Sequence, residues 1–394
     1  MTAKTSPKQE ILSRLVLNFP GFEQTDSVAQ LGRIRYGAEI TGKIWGFDLT
    51  QGDLLHAEDS HHTTVEMSAT GKDWKTDTKL VQFRWNDIVH AYEKDSFPGG
   101  FLKNTKKYLS FFTDGTVGKY RKASVRYWGF TIFPLLLAFI FAAIAWLILR
   151  SVASPLWLTL ILVPSATLLL CKWPGDKLYV PLTIADWGFA RDMVYQTNPE
   201  IEARFSEFGE TTLNEIAASN HDEILIVGHS FGSLWAVAAL SNALERQPDL
   251  FKGKSIRFLA LGSSMLKIAL APDAKFMRDH WAKVMDQPEV FWHEIQTKDD
   301  LIAFYPCDPF EEIGITSPKA EFAITKVRFG KGMEKKRYKS MRKSFYRTHR
   351  QYILYYDNRV PFDYKMRLLG PFSLKTLSGE VGLDKRIDQD GKLV

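Results

Sequence analysis

The chain has 394 residues, 45% of them hydrophobic, which is enough for one large domain or one domain with an insertion. Fifty-one basic and 45 acidic side chains leave a formal charge of +6, a mildly basic balance that suits an anionic surface but singles out no partner. Two cysteines, Cys171 and Cys307, exclude a disulfide framework or a metal site built on cysteine alone, and no CxxC or HExxH spacing occurs.

The first ten residues, Met1 to Glu10, are polar and carry no apolar core, so no secretory signal is expected. Ile11 to Phe19, ILSRLVLNF, ends in an apolar run that predicts a buried strand, broken by Pro20 and Gly21. Asp26 to Tyr36 has helical spacing. Thr63 to Ser68 and Lys79 to Trp85 alternate as strands do. Apart from the first of these, Asp53 to Thr78 is polar and turn-rich and predicts a surface excursion.

Tyr127 to Leu149 reads YWGFTIFPLLLAFIFAAIAWLIL and carries no charge. As a helix it would be about 34 Å long, enough for a hydrocarbon core of about 30 Å. Val152 to Cys171 is a second uncharged run, with Pro155 suited to its first turn and Pro164 placed to kink it. Together they predict a transmembrane hairpin; buried core helices and a re-entrant hairpin are the alternatives. Lys103, Lys106, Lys107, Lys119, Arg121, Lys122 and Arg126 precede it, Lys172 and Lys177 follow it, and the turn holds only Arg150. The positive-inside rule then puts both ends, and both termini, in the cytoplasm. Tyr127, Trp128, Trp146, Trp157 and Trp173 lie near the span ends, where interfacial aromatics belong.

Pro199 to Ala218 predicts an amphipathic helix. The β-branched run Glu223 to Val227 predicts a buried parallel strand, followed by a helix over Ser230 to Leu244. Ser255 to Leu261 and Val290 to Gln296 read as strands, Ala274 to Met285 as a helix, and Phe322 to Phe329 as a last strand. Strands alternating with helices predict a parallel α/β sheet. The tail after Leu374 is polar and carries no functional signal.

Between strand and helix stands Gly228-His229-Ser230-Phe231-Gly232, a G-x-S-x-G pattern in the strand-turn-helix setting a nucleophile elbow needs. Such a turn would hold Ser230 in a strained conformation, with Gly228 and Gly232 allowing close packing around it. A glycine-rich turn without catalysis is the plainer reading.

On these residues the chain resembles the α/β-hydrolase family, and within it the lipase-like serine hydrolases. The resemblance implies a mostly parallel α/β-hydrolase sheet with helices on both faces, here with a two-helix membrane hairpin inserted. Residues 1–126 and 172–394 would form the hydrolase domain and 127–171 the hairpin. It also implies the chain order Ser, Asp, His. Asp300 to Pro306, DLIAFYP, resembles the acid segment of class 3 lipases, which favours Asp300, with Asp299 as the alternative. His280 and His293 precede the acid; His349 follows it, in a segment similar to the catalytic-histidine segment of lipases. The oxyanion-hole amides would be those of Phe231 and Phe22, although Pro20 stands where many relatives carry histidine.

These readings lead to an expected membrane-anchored enzyme that cleaves carboxylic esters, of lipid or other acyl type, through Ser230, His349 and Asp300. A thioesterase or acyltransferase would use the same residues, and a non-catalytic membrane scaffold is the rival from another class. The expected partners are the lipid bilayer and the substrate. The basic stretch Lys326 to Arg350 reads either as attraction to anionic headgroups or as a solvated loop. No phosphate-binding loop or nucleic-acid motif occurs, so no cofactor, no metal and no nucleic acid are expected.

Overall fold

The computed structural model describes residues 9–56, 60–94, 97–379 and 382–394. Most of the N-terminal stretch read for a signal lies outside the described residues.

The strands are β1 (Ser13–Phe19), β2 (Asp48–Gln51), β3 (His62–Thr70), β4 (Lys75–Phe83), β5 (Glu223–His229), β6 (Ile256–Leu261), β7 (Val290–Thr297) and β8 (Glu321–Val327). They form one sheet in the order β2-β3-β4-β1-β5-β6-β7-β8. β4 through β8 run parallel, and β2 and β3 add an antiparallel edge. β5 and β7 are buried along their whole length, as strands covered on both faces must be.

The first helix is α1 (Ser27–Trp45). Between β4 and β5 lie α2 (Asn86–Lys94), α3 (Gly99–Thr113), α4 (Thr116–Ala123), α5 (Val125–Ser151), α6 (Leu156–Lys177), α7 (Val180–Tyr195) and α8 (Pro199–Ala218). α9 (Gly232–Arg246) joins β5 to β6, α10 (Met265–Ala269) and α11 (Lys275–Met285) precede β7, and α12 (Pro309–Glu312) precedes β8. The chain closes with α13 (Lys335–Met341), α14 (Phe345–Arg350), α15 (Tyr364–Leu369) and α16 (Leu374–Leu377).

Side chains alternate across the sheet, as the period of two requires. Leu15, Leu17, Phe19, Ile224, Ile226 and Phe258 enter a core with α7, α8, α9 and α11. Val16, Leu225, Val227 and Leu259 enter a second core with α1 and α15. Trp235 of α9 is fully buried beside Phe205, Phe208 and Trp85, and burying such a side chain contributes about 1.5–3 kcal/mol. The tail packs under the sheet. Arg14 on β1 pairs with Glu223 on β5 at 2.8 Å, both inaccessible, and donates to the carbonyls of Leu368, Gly370 and Phe372.

α5 and α6 pack against each other and are long and apolar enough to cross a membrane; only 11% of the most apolar window of each is buried. Their 27 and 22 residues give lengths of about 40 and 33 Å. α5 extends past its predicted span at both ends, whereas α6 is shifted: it begins at Leu156, after Pro155 as its N-cap, and runs on through a polar turn to Lys177.

Four expectations are corrected. The polar stretch of 53–78 outside the predicted strand Thr63–Ser68 holds the ends of β3 and the start of β4, a hairpin whose buried positions include Thr76 and Thr78 and so show no apolar alternation. α1 runs on past Tyr36 to Trp45, because Gly37 packs against Lys365 and Gly42 against Phe47 rather than ending the helix. The basic stretch holds α13 and α14 and is no open loop. The tail after Leu374 contains α16 and buries Leu377, Leu383, Ile387 and Leu393.

Candidate active site

In an open parallel sheet, ligands bind beyond the carboxyl ends of the strands where successive connections leave in opposite directions. Here that point lies between β1 and β5: β1 pairs with β4 on one side and β5 on the other. The turn after β1 carries Pro20, Gly21 and Phe22. The turn after β5 carries Ser230.

Ser230 has φ +56°, a left-handed conformation that side chains rarely adopt and that costs on the order of 1–3 kcal/mol. The flanking glycines make the turn possible. A Cβ on Gly232 would sit 1.9 Å from the Phe19 carbonyl oxygen, and one on Gly228 would sit 2.5 Å from Ser233 Cα. The turn after β1 lies equally close: a Cβ on Gly21 would meet the Ser230 Cβ at 3.0 Å. Trp85 Nε1 donates to the Pro20 carbonyl at 2.9 Å and holds that turn in place. Phe22 packs against Trp85, Phe189 and Phe231. Among the described residues, neither the Phe22 nor the Phe231 amide has a protein acceptor, so both are free to donate to a ligand.

Asp300 is inaccessible to solvent. One carboxylate oxygen accepts from the Ile302 amide at 2.8 Å and the other meets His349 Nδ1 at 2.7 Å. Asp299 faces elsewhere: it accepts from the Tyr338 hydroxyl at 2.8 Å and the Phe329 amide at 3.1 Å. Of the two adjacent acids, Asp300 is thus the one that reaches a histidine.

Ser230 and His349 line one cleft of about 30 Å³ with Gly21, Phe22, Asp186 and Ile302. No hydrogen bond joins them. Ser230 Oγ is bonded to Ser264 Oγ at 3.1 Å, and His349 Nε2 is buried without a partner. The Nδ1 bond to a carboxylate fixes the imidazole ring and leaves Nε2 turned to the cleft as the available acceptor. A histidine so placed can take a proton, and a hydroxyl in the same cleft can supply one. His229 Nε2 donates to the His349 carbonyl at 3.1 Å. Burial, and then the neighbouring His349, hold the His229 imidazole well below the usual histidine range, so it stays neutral and positions its neighbour.

Three residues near Ser230 went unread in the sequence. Ser264 follows β6, and its amide also donates to the Ser230 carbonyl at 3.2 Å. Asp186 of α7 forms a buried ion pair with Lys267, whose ammonium lies 3.9 Å from the Trp187 ring centre and 5.0 Å from that of Phe231. Burial favours the neutral form of each, raising the Asp186 carboxyl and lowering the Lys267 ammonium, and their mutual attraction opposes both shifts. Of the three, Ser264 lay nearest a readable signal, just beyond the strand predicted over Ser255 to Leu261. Among the described residues, no group of three His, Cys, Asp or Glu side chains is placed to hold a metal ion. The chain matches no family model, no curated protein and no solved structure.

Proposed function

We propose that this protein is a serine hydrolase of the α/β-hydrolase type that cleaves carboxylic esters, lipid or other acyl esters, at a membrane. The observation that carries the reading is one arrangement. A serine at φ +56° sits at the carboxyl end of a central parallel strand, in one cleft with a histidine whose Nδ1 meets a buried carboxylate at 2.7 Å.

In the proposed reaction the Ser230 hydroxyl turns from Ser264 toward His349 Nε2 within the cleft they share. His349 removes the hydroxyl proton as Oγ bonds to the ester carbonyl carbon. The Phe22 and Phe231 amides hold the oxyanion, and Asp300 holds the imidazolium. The carbonyl re-forms as the alkoxide leaves with the proton from His349. Water, deprotonated by the same histidine, then releases the acid and restores Ser230. Loosely aligned serine and histidine side chains are usual in a free enzyme and tighten when substrate binds.

The anchor in this reading is the α5–α6 hairpin, with the catalytic domain and both termini on the cytoplasmic side. Its support is the cationic flank from Lys103 to Arg126 against the single Arg150 in the turn. One observation favours the rival, a non-catalytic scaffold: the Ser230 hydroxyl is engaged by Ser264 and not by His349. Turnover decides between them. Detergent-solubilised protein should hydrolyse p-nitrophenyl esters, and Ser230→Ala should abolish that activity while melting normally. Undiminished turnover by the variant, or none by the wild type, rejects the proposal.

A further inference from the structure

A second cavity, of about 480 Å³, adjoins the catalytic cleft and shares Phe22, Glu23, Tyr346 and Arg350 with it. This volume falls in the range of small-ligand sites, whereas the cleft itself holds little more than the reacting atoms. The cavity lies between α2, α3, α7 and α14, and its walls include Phe97, Phe101, Leu182 and Ile184. Lys172 and Asp176, in the last turns of α6, also line it. Trp173 beside them is 81% exposed, so the cavity reaches the surface where the apolar hairpin meets the domain.

Its charges are unevenly satisfied. Glu23 is held by both Arg33 nitrogens, at 2.7 and 2.8 Å. Lys172 and Asp176 face each other at 3.6 Å. Glu93 accepts from Gln24 through one oxygen, its other oxygen is buried without a partner, and burial pushes its carboxyl up to about 7, toward the neutral form. Arg347 and Arg350, one turn apart on α14, differ: both are exposed at the cavity's rim, and among the described residues neither guanidinium has an acidic partner. The wall nearest the catalytic histidine thus presents two uncompensated guanidinium forks, the group suited to binding phosphate or carboxylate through paired hydrogen bonds.

The geometry points to a binding site for an anionic, single-chain amphiphile, with its alkyl chain along the phenylalanine wall and its anion on Arg347 and Arg350. This inference rests on the hydrolase reading for the site's purpose, which is to hold an acidic lipid ester against Ser230 or its released fatty acid beside it. Phosphate and carboxylate are the two sources of the same charge.

Titration calorimetry on the full chain carrying Ser230→Ala, in nonionic detergent, tests the site without turnover. The ligands are dodecyl phosphate, laurate and uncharged 1-O-dodecylglycerol. At least one anion should bind at least about tenfold tighter than the glycerol ether. Stronger binding of the phosphate assigns the anion to a substrate headgroup, and stronger binding of laurate assigns it to the product. The preference should vanish with Arg347→Gln/Arg350→Gln. It should survive Lys335→Gln/Lys336→Gln, which removes the same charge from the basic stretch outside the cavity. Equal binding of charged and uncharged ligands, or equal loss in both double variants, overturns the inference. The hydrolase reading fails separately, through absent turnover by the wild type with anion binding intact.

Discussion

Asp299 and Asp300 are neighbours in the chain with opposite surroundings. Asp299 ties the loop to Tyr338 and the Phe329 amide, whereas Asp300 is fully buried against His349. If Asp300 fixes the imidazole tautomer, Asp300→Asn should lower kcat by roughly 10³- to 10⁴-fold with the fold intact. Asp299→Asn removes ordinary hydrogen bonds; it should cost about 1–2 kcal/mol of stability and leave kcat within roughly tenfold. Steady-state kinetics on a p-nitrophenyl ester, with melting curves for both variants, checks the ranking. The reverse order would assign the acid to Asp299. The sequence left this choice open because consecutive loop residues share composition and spacing; only the direction each side chain takes separates them.

At the scale of elements, the start of α5 supports both halves of the acid–histidine pair. Ser124 caps α5 and donates to the Tyr305 carbonyl at 2.9 Å, and Arg126 donates to the Lys298 carbonyl. The Tyr127 ring stacks on Phe304 at 3.9 Å, so the Asp300 loop rests on this first turn. One turn on, Phe130 and Phe133 pack against Phe345 of α14, the helix that carries His349. Close-packed interiors transmit displacement rather than absorbing it. Tyr127→Ala should therefore lower kcat by about 10- to 100-fold by loosening the acid loop. Leu147→Ala, at the far end of the same helix and 67% exposed, should leave kcat unchanged. Equal effects in the two variants would contradict this local support. None of these contacts is local, so nothing in the spacing of residues 124–133 announces them.

Across the whole molecule, what the sequence disclosed follows burial. The central strands were legible because both faces are covered, which forces unbroken apolar runs such as Ile224 to Val227. The hairpin was legible because each of its two helices carries a long run without charge. α7 was missed because 13 of its 16 residues, Val180 to Val194 with few gaps, are buried, which leaves no polar stripe to mark a helical period. α15 was missed because it buries Lys365 and Arg367, charges that ordinarily mark a surface. The same limit hid Ser264, Asp186 and Lys267, whose neighbours come from distant strands and helices. Ser230 stood out because its G-x-S-x-G pattern lies between an apolar strand and a helix, and Asp300 and His349 because they follow it in the chain order Ser, Asp, His.

The central claim is that Ser230 is a nucleophile activated by His349. Labelling of the detergent-solubilised full chain with a fluorophosphonate, followed by peptide mass spectrometry, tests it most directly. The account predicts a single covalent adduct on the peptide containing Ser230, absent in Ser230→Ala and formed at least about 100-fold more slowly in His349→Ala. A folded wild type that takes up no label, or one labelled at Ser230 at the same rate without His349, would contradict it.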